Sequence, residues 1–171
     1  LRLLGYGGAP AATEVLRRAR TAFPGVELCT MFGATELAPL ASSLGHHERM
    51  LDDARARSCG KAAVGVELRI LDEDGRECPV GAIGEVIARG PNVMKGYWNK
   101  PEETARALRS GWYHTGDMGH LDAEGHLFLV DRKKDMIISG GENVYGSEVE
   151  DALYRHPAVA EAAVFGIPDE R

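Results

Sequence analysis

Four short segments carry side chains whose types and spacing could do chemistry. Phe32-Gly33-Ala34-Thr35-Glu36 offers an aromatic face, a flexible glycine, a hydroxyl and a carboxylate within one turn of chain. A phosphorylated nucleotide needs such parts: a stacking surface for its base, a donor to a phosphate oxygen and a hard oxygen ligand for Mg²⁺. Gly7-Gly8-Ala9-Pro10 lacks large side chains, so a flat ligand could approach its backbone closely. Trp112-Tyr113-His114-Thr115-Gly116-Asp117 ends in a carboxylate that could accept both hydroxyls of a ribose diol. Asp131-Arg132-Lys133-Lys134-Asp135 is a basic run followed by Met136-Ile137-Ile138 and then Ser139-Gly140-Gly141-Glu142-Asn143. Each segment also has a plain structural reading. In the same order these are a strand end with a solvated Glu, a β-turn, an Asx-type turn and a loop joining two small domains.

The elements that must hold these segments can be read from periodicity. Leu1 to Tyr6 reads as a strand and Ala11 to Phe23 as a helix, with Val15, Leu16, Ala19, Ala22 and Phe23 near helical period. Pro24-Gly25 stops that helix, and Val26 to Phe32 reads as the next strand, which places Thr35 and Glu36 just past its C-terminal end. Ligands of open α/β sheets bind at such strand ends. Ser42 to Ser58 is polar and charged and is expected to be a surface excursion.

From Val64 the pattern turns to β. Val66 to Leu71 alternates at period two, Asp72-Glu73-Asp74-Gly75 is a turn, and Ile83 to Arg89 is a further strand. Pro101-Glu102-Glu103 opens a short helix. His120-Leu121 and His126 to Val130 form a hairpin about Asp122-Ala123-Glu124-Gly125. The run 131–135 is the expected hinge. Met136 to Ile138 is then a short strand, Ser147-x-x-Glu150 a capping box opening a helix to about Arg155, and Val159 to Ile167 a strand. The fold class is therefore an α/β unit, a β-rich subdomain and the start of a small α+β domain, divided as 1–131, hinge 132–134 and 135–171.

Composition narrows the class of function. The 171 residues are 44% hydrophobic and 27% charged, the balance of a globular protein with its own core. A net charge of −6 with dispersed basic residues argues against nucleic acid or anionic membrane as the main partner. No apolar run approaches a membrane span and no signal peptide is visible. Cys29, Cys59 and Cys78 are odd in number and widely spaced, which favours reduced thiols and a cytoplasmic location over a disulfide frame or zinc site. His46-His47 could suggest a metal, but adjacent histidines point in different directions. With no initiator Met and apolar runs at both ends, the chain is expected to be cut from a longer one.

In their order and spacing, the four segments resemble the adenylate-forming superfamily, which includes acyl-CoA synthetases, firefly luciferase and the adenylation domains of peptide synthetases. Gly84-Glu85-Val86, Gly90, Gly96-Tyr97-Trp98 and His156 to Glu161 add to a resemblance that covers essentially the whole chain. Ser139 to Glu150 is most similar to the acyl-CoA ligase and luciferase branch.

The resemblance implies roles. Phe32 would stack on adenine, with Gly33 beside it. Thr35 would contact phosphate and Glu36 would hold Mg²⁺. Asp117 would bind the ribose hydroxyls with support from Arg132. Gly8 and Ala9 would line the adenine and acyl pockets, Lys134 would be the hinge, and Gly141 would border the tunnel for the thiol arm of coenzyme A. The implied reaction couples ATP to a fatty or aryl acid, giving acyl-AMP and then an acyl-CoA. The alternatives are an adenylation domain that loads a carrier-protein thiol and a non-catalytic nucleotide-binding module.

Two departures stand out: Phe32 replaces the usual Tyr, and Gly146 stands where the branch often has Pro. The family's Gly/Ser/Thr-rich phosphate loop and its late C-terminal lysine fall outside these residues, so the 171-residue chain alone is expected not to complete the reaction.

Overall fold

The structure, a computed structural model, describes residues 1–8, 11, 13–45 and 55–167, without the side chains of Thr13 and Ala56. Ala9 and the His46-His47 pair lie outside the described residues.

The chain opens as a strand–helix–strand unit: β1 (Leu3–Gly7), α1 (Thr13–Ala22) and β2 (Glu27–Phe32). β1 and β2 pair in parallel, as a helical crossover requires. α1 turns Leu16 inward, and Glu14 pairs with Arg17 and Arg18 on the solvent side. After a 3₁₀ turn at Thr35–Leu37, β3 (Ser42–Leu44) returns antiparallel to β2, and β4 (Lys61–Ala62) pairs with β3.

β3 corrects the expected surface excursion. Ser42 and Leu44 are fully buried, and Ser58 at the far end of the same polar stretch is 1% exposed. Their hydroxyls make this possible: Ser42 Oγ donates to the Cys59 carbonyl, Ser58 Oγ donates to the Leu127 carbonyl, and Ser58 Oγ also accepts from the Gly60 N–H.

A second sheet has β5 (Glu67–Leu71), β6 (Gly84–Arg89) and β8 (Trp112–Leu121) side by side. The first half of β8 pairs with β7 (Leu108–Arg109) and the second half with β9 (Leu127–Arg132). β6 is covered on both faces, which suits its Val86-Ile87-Ala88 run. Between β6 and β7 stands α2 (Pro101–Ala107), with Pro at its start, Glu102 and Glu103 in the first turn and Arg106 in the last.

The β8–β9 turn is the expected one. Asp122 Oδ1 accepts the Glu124 and His126 N–H groups, and Asp122 Oδ2 stands 3.2 Å from the buried His126 Nδ1. One core joins the two sheets: Phe32, Leu37 and Ala41 from the first pack with Ile70, Val86, Ala88, Tyr113 and Leu127 of the second.

β9 ends at Arg132 and a turn follows, closed by Arg132 O accepting the N–H groups of Asp135 and Met136. β10 (Ile137–Ser139) and β11 (Glu142–Val144) form a separate hairpin, and α3 (Gly146–Tyr154) comes next. The Ser147–Glu150 capping box does not form. Ser147 Oγ donates to the Val130 carbonyl, Glu150 accepts the Val164 N–H at 2.8 Å, and the Gly146 N–H bonds Asp131 Oδ2 at 2.7 Å. The start of α3 is thus capped by a carboxylate from β9, a tertiary substitute for a local cap.

Val159 to Ile167 is not a strand, because no described strand pairs with it and the Val164 N–H is already satisfied by Glu150. The three cysteines form no disulfide. No described helix is long and apolar enough to cross a membrane.

Candidate functional site

The ends of β1, β2 and β9 and the segment after Arg132 border a cleft of about 1350 Å³. Gly8, Phe32, Gly33, Asp117, Arg132 and Lys134 line it, so six residues singled out from four distant stretches of sequence share one cavity. Thr35, Glu36 and Gly141 do not line it.

Asp117 and Arg132 are register partners across β8 and β9, and Arg132 Nε donates to Asp117 Oδ1 at 2.9 Å. The strand at Asp117 is pinned from below. Its N–H bonds Thr115 Oγ1, which in turn donates to the Val86 carbonyl at 2.7 Å. The Lys133 N–H closes the same corner on the Gly116 carbonyl. Burial pushes the Asp117 carboxyl above its ordinary range, and the guanidinium of Arg132 only partly offsets this. Arg132 donates to one oxygen of this carboxylate, and a diol would supply two further donors.

The Glu36 carboxylate sits on the 3₁₀ turn just beyond β2, half-buried. Tyr97 Oη donates to Glu36 Oε1 at 2.7 Å, which holds the carboxyl below its usual range against the opposing effect of burial. Tyr113 and Arg132 act in the same direction. The Tyr97 phenol is in turn pushed up to about 12 by that carboxylate. Burial, and then the charge on Glu36, raise Tyr113 as well. An ionised, partly exposed carboxylate is the hard oxygen donor that Mg²⁺ prefers, so the donor chemistry fits the metal. Thr35 is exposed beside it.

Three expected roles look different in three dimensions. Phe32 is 7% exposed, because the alternation of β2 turns Leu28, Thr30 and Phe32 inward. Most of its ring belongs to the shared core, and only a small part reaches the cleft. Gly33 has a packing reason to be glycine: a Cβ there would stand 1.7 Å from the Pro39 carbonyl oxygen. Gly140 and Gly141 are the two central residues of the β10–β11 hairpin, with φ of 61° and 87°, a two-residue turn that side chains resist.

Other residues near the site carried no signal of their own in the sequence. Tyr97 lay within a glycine-aromatic stretch with no assigned role, and Tyr113 lay inside the Asp117 segment. On the far side of β8, the buried Glu85 accepts from Lys133 Nζ at 3.2 Å, with His114 Nδ1 at 3.5 Å and Arg109 at 3.8 Å. Burial would raise the Glu85 carboxyl, but Lys133 and His114 together leave it below its ordinary range. Burial and then Arg109 push His114 down. Neighbouring residues of one turn therefore face two carboxylates, Arg132 toward the cleft and Lys133 away from it.

With this geometry established, the comparisons place the chain. Residues 1–98 match the model for AMP-binding enzymes, and residues 148–171 match the model for the AMP-binding enzyme C-terminal domain. The chain belongs to the AMP-binding enzyme family. It is 43% identical over its full length to an indoleacetate–CoA ligase of Aromatoleum aromaticum, covering 32% of that protein. It is 42% identical over its full length to a fatty acid–[acyl-carrier-protein] ligase of Streptomyces coeruleorubidus, covering 33% of it. Among solved structures, o-succinylbenzoate coenzyme A synthetase of Bacillus subtilis, in complex with ATP and magnesium ion, matches with a TM-score of 0.86 and 40% identity. That match covers 99% of this chain and 34% of the synthetase. The chain spans about a third of the length of the relatives it matches.

Proposed function

We propose that an enzyme containing this chain activates a carboxylic acid with ATP as an acyl-adenylate and passes the acyl group to coenzyme A. The observation that carries this reading is the Asp117–Arg132 pair in a cleft that Gly8 and Gly33 also line, with the Glu36 carboxylate on the adjoining turn.

Asp117 accepts the ribose hydroxyls, and Arg132 holds that carboxylate and extends the contact. Gly8 and the exposed edge of Phe32 border the adenine and acyl pockets. Thr35 donates to a phosphate oxygen. Glu36 holds Mg²⁺, which when bound offsets the charge of the phosphates. The acid's carboxylate attacks the α-phosphorus, pyrophosphate leaves, and positioning with charge compensation does most of the work. A rotation about Lys134, between units 1–131 and 135–171, then brings Gly141 toward the path of the thiol, which replaces AMP at the carbonyl. The acid is a fatty or aryl acid, since relatives of equal similarity are named for each, and we place the enzyme in the cytoplasm.

A second reading has its own support. The carrier-protein ligase is as similar to this chain as the coenzyme A ligase, so the acceptor could be a carrier thiol. Both readings are tested on the intact enzyme by acid-dependent ATP–pyrophosphate exchange over a panel of acids, followed by coenzyme A. Exchange with thioester formation supports the ligase. Exchange without it points to the carrier thiol. A folded enzyme with no exchange on any acid overturns both and favours a non-catalytic nucleotide-binding module.

A further inference from the structure

The stretch Asn92–Tyr97 between β6 and α2 has no part in the mechanism above, yet it is bound to the Glu36 turn at four points. Asn92 Nδ2 donates to the carbonyls of Leu37 and Leu40, each at 2.8 Å. The Met94 N–H bonds the Glu36 carbonyl at 2.8 Å. Tyr97 Oη donates to the Glu36 carboxylate at 2.7 Å. The first three contacts fix the backbone of the turn, and the fourth fixes the side chain.

Tyr97 is itself held in place. Its N–H bonds Thr104 Oγ1 at 2.9 Å, and Thr104 Oγ1 donates to the Lys100 carbonyl at 2.7 Å, so α2 anchors the residue that orients Glu36. Leu37, next to Glu36, is fully buried in the shared core, which anchors the turn from its other side. A carboxylate with one oxygen held by a rigid phenol has lost rotation about its last bonds, and little ordering remains when it takes a ligand.

We propose that Tyr97 is a positioning residue for Glu36: the Asn92–Tyr97 segment clamps the turn, and the phenol holds the carboxylate oriented to receive a nucleotide-bound divalent cation. This rests on the nucleotide reading above and assigns to that site a residue contributed by a separate strand connection.

The test uses the intact enzyme, with Mn²⁺ as the probe and α,β-methylene-ATP as the nucleotide. Free Mn²⁺ is followed by electron paramagnetic resonance, so no turnover is needed. Tyr97→Phe keeps the ring and removes one hydrogen bond to a charged group, so it should weaken Mn²⁺ binding to the nucleotide complex about tenfold. It should leave metal-free AMP binding unchanged, and raised Mg²⁺ should restore its exchange rate. Asn92→Ala, which loosens the turn without touching the carboxylate, should weaken Mn²⁺ binding in the same direction.

Unchanged Mn²⁺ affinity in both variants overturns the proposal. So does a loss of metal-free AMP binding as large as the loss of Mn²⁺, which would mark Tyr97 as merely structural. Failure of the nucleotide reading itself looks different, because the unaltered enzyme would then bind neither AMP nor the Mn²⁺ complex.

Discussion

Residues 58–132 and residues 137–167 border the same cleft but are held by different physics. The first region is a sheet whose central strand is buried on both faces and whose core is shared with β2 and its turn. Asp117, Glu36 and Arg132 stand on this body. The second region is a two-stranded hairpin, a helix and an extended run, with Ile138, Phe165 and Ile167 each at least 70% exposed. Two polar contacts tie it back, Asp131 to Gly146 and Ser147 to Val130, while Glu150 to Val164 holds the region to itself. Apolar burial is lost all at once when a core separates, whereas hydrogen bonds exchange for water at small net cost. One side of the cleft is thus held by a shared core and the other by contacts that can exchange for water, a difference that suits the proposed rotation about Lys134.

The largest expected contrast is in side-chain truncation. Leu127 is fully buried, and Leu127→Ala should cost about 2–5 kcal/mol in urea unfolding. Phe165→Ser in the second region should change stability by no more than about 0.5 kcal/mol. Equal costs would end the distinction between the regions.

Next in size is Asp117→Asn, which keeps the shape and removes the charge that would accept the ribose diol. AMP affinity should fall about tenfold or more by titration calorimetry. The carboxyl is raised by burial, so the folded state holds its proton more tightly than the unfolded state does. AMP affinity should therefore decline, as pH is lowered, at a pH above the ordinary aspartate range. Asp117→Asn should flatten that limb.

The Glu85 pair tests how firmly the sheet ends. Lys133→Met leaves a buried carboxylate short of its main partner and should cost roughly 1–3 kcal/mol, whereas Glu85→Gln frees a lysine that is already half-exposed and should cost less. The Glu85 carboxyl is depressed in the fold, so its contribution is present above the unfolded value and is lost as pH falls through the folded value. Acid unfolding followed by circular dichroism should show that loss in the unaltered chain and a smaller one in Glu85→Gln.

The smallest effect sharpens the comparison from the other side. Ser147→Ala removes one contact between α3 and β9 and should cost about 0.5–1.5 kcal/mol. Hydrogen exchange should rise in α3 and stay unchanged in β6.

Much of the architecture was legible from the chain itself. The strands at 67–71 and 84–89, the Asp122–Gly125 turn and the helix opened by Pro101 follow from periodicity and turn chemistry, because local rules and tertiary demands agree there. Where they disagreed, the sequence misled. Ser42 and Ser58 look solvated but are buried on backbone carbonyls 17 and 69 residues away. Ser147 and Glu150 have capping-box spacing, yet both side chains serve other segments.

By itself, the sequence determined which groups are present and in what order: a carboxylate past β2, a second carboxylate after a glycine, an arginine opening a basic run, and small residues beside them. Only the tertiary structure decided their states. It turned Phe32 into the core, raised Asp117 by burial, set Tyr97 on Glu36 across 61 residues and gave Arg132 and Lys133 opposite partners. The physical reason is that residue type and local spacing are properties of the chain. Burial, hydrogen-bond partner and charge state depend on which distant segments the fold brings within about 3 Å.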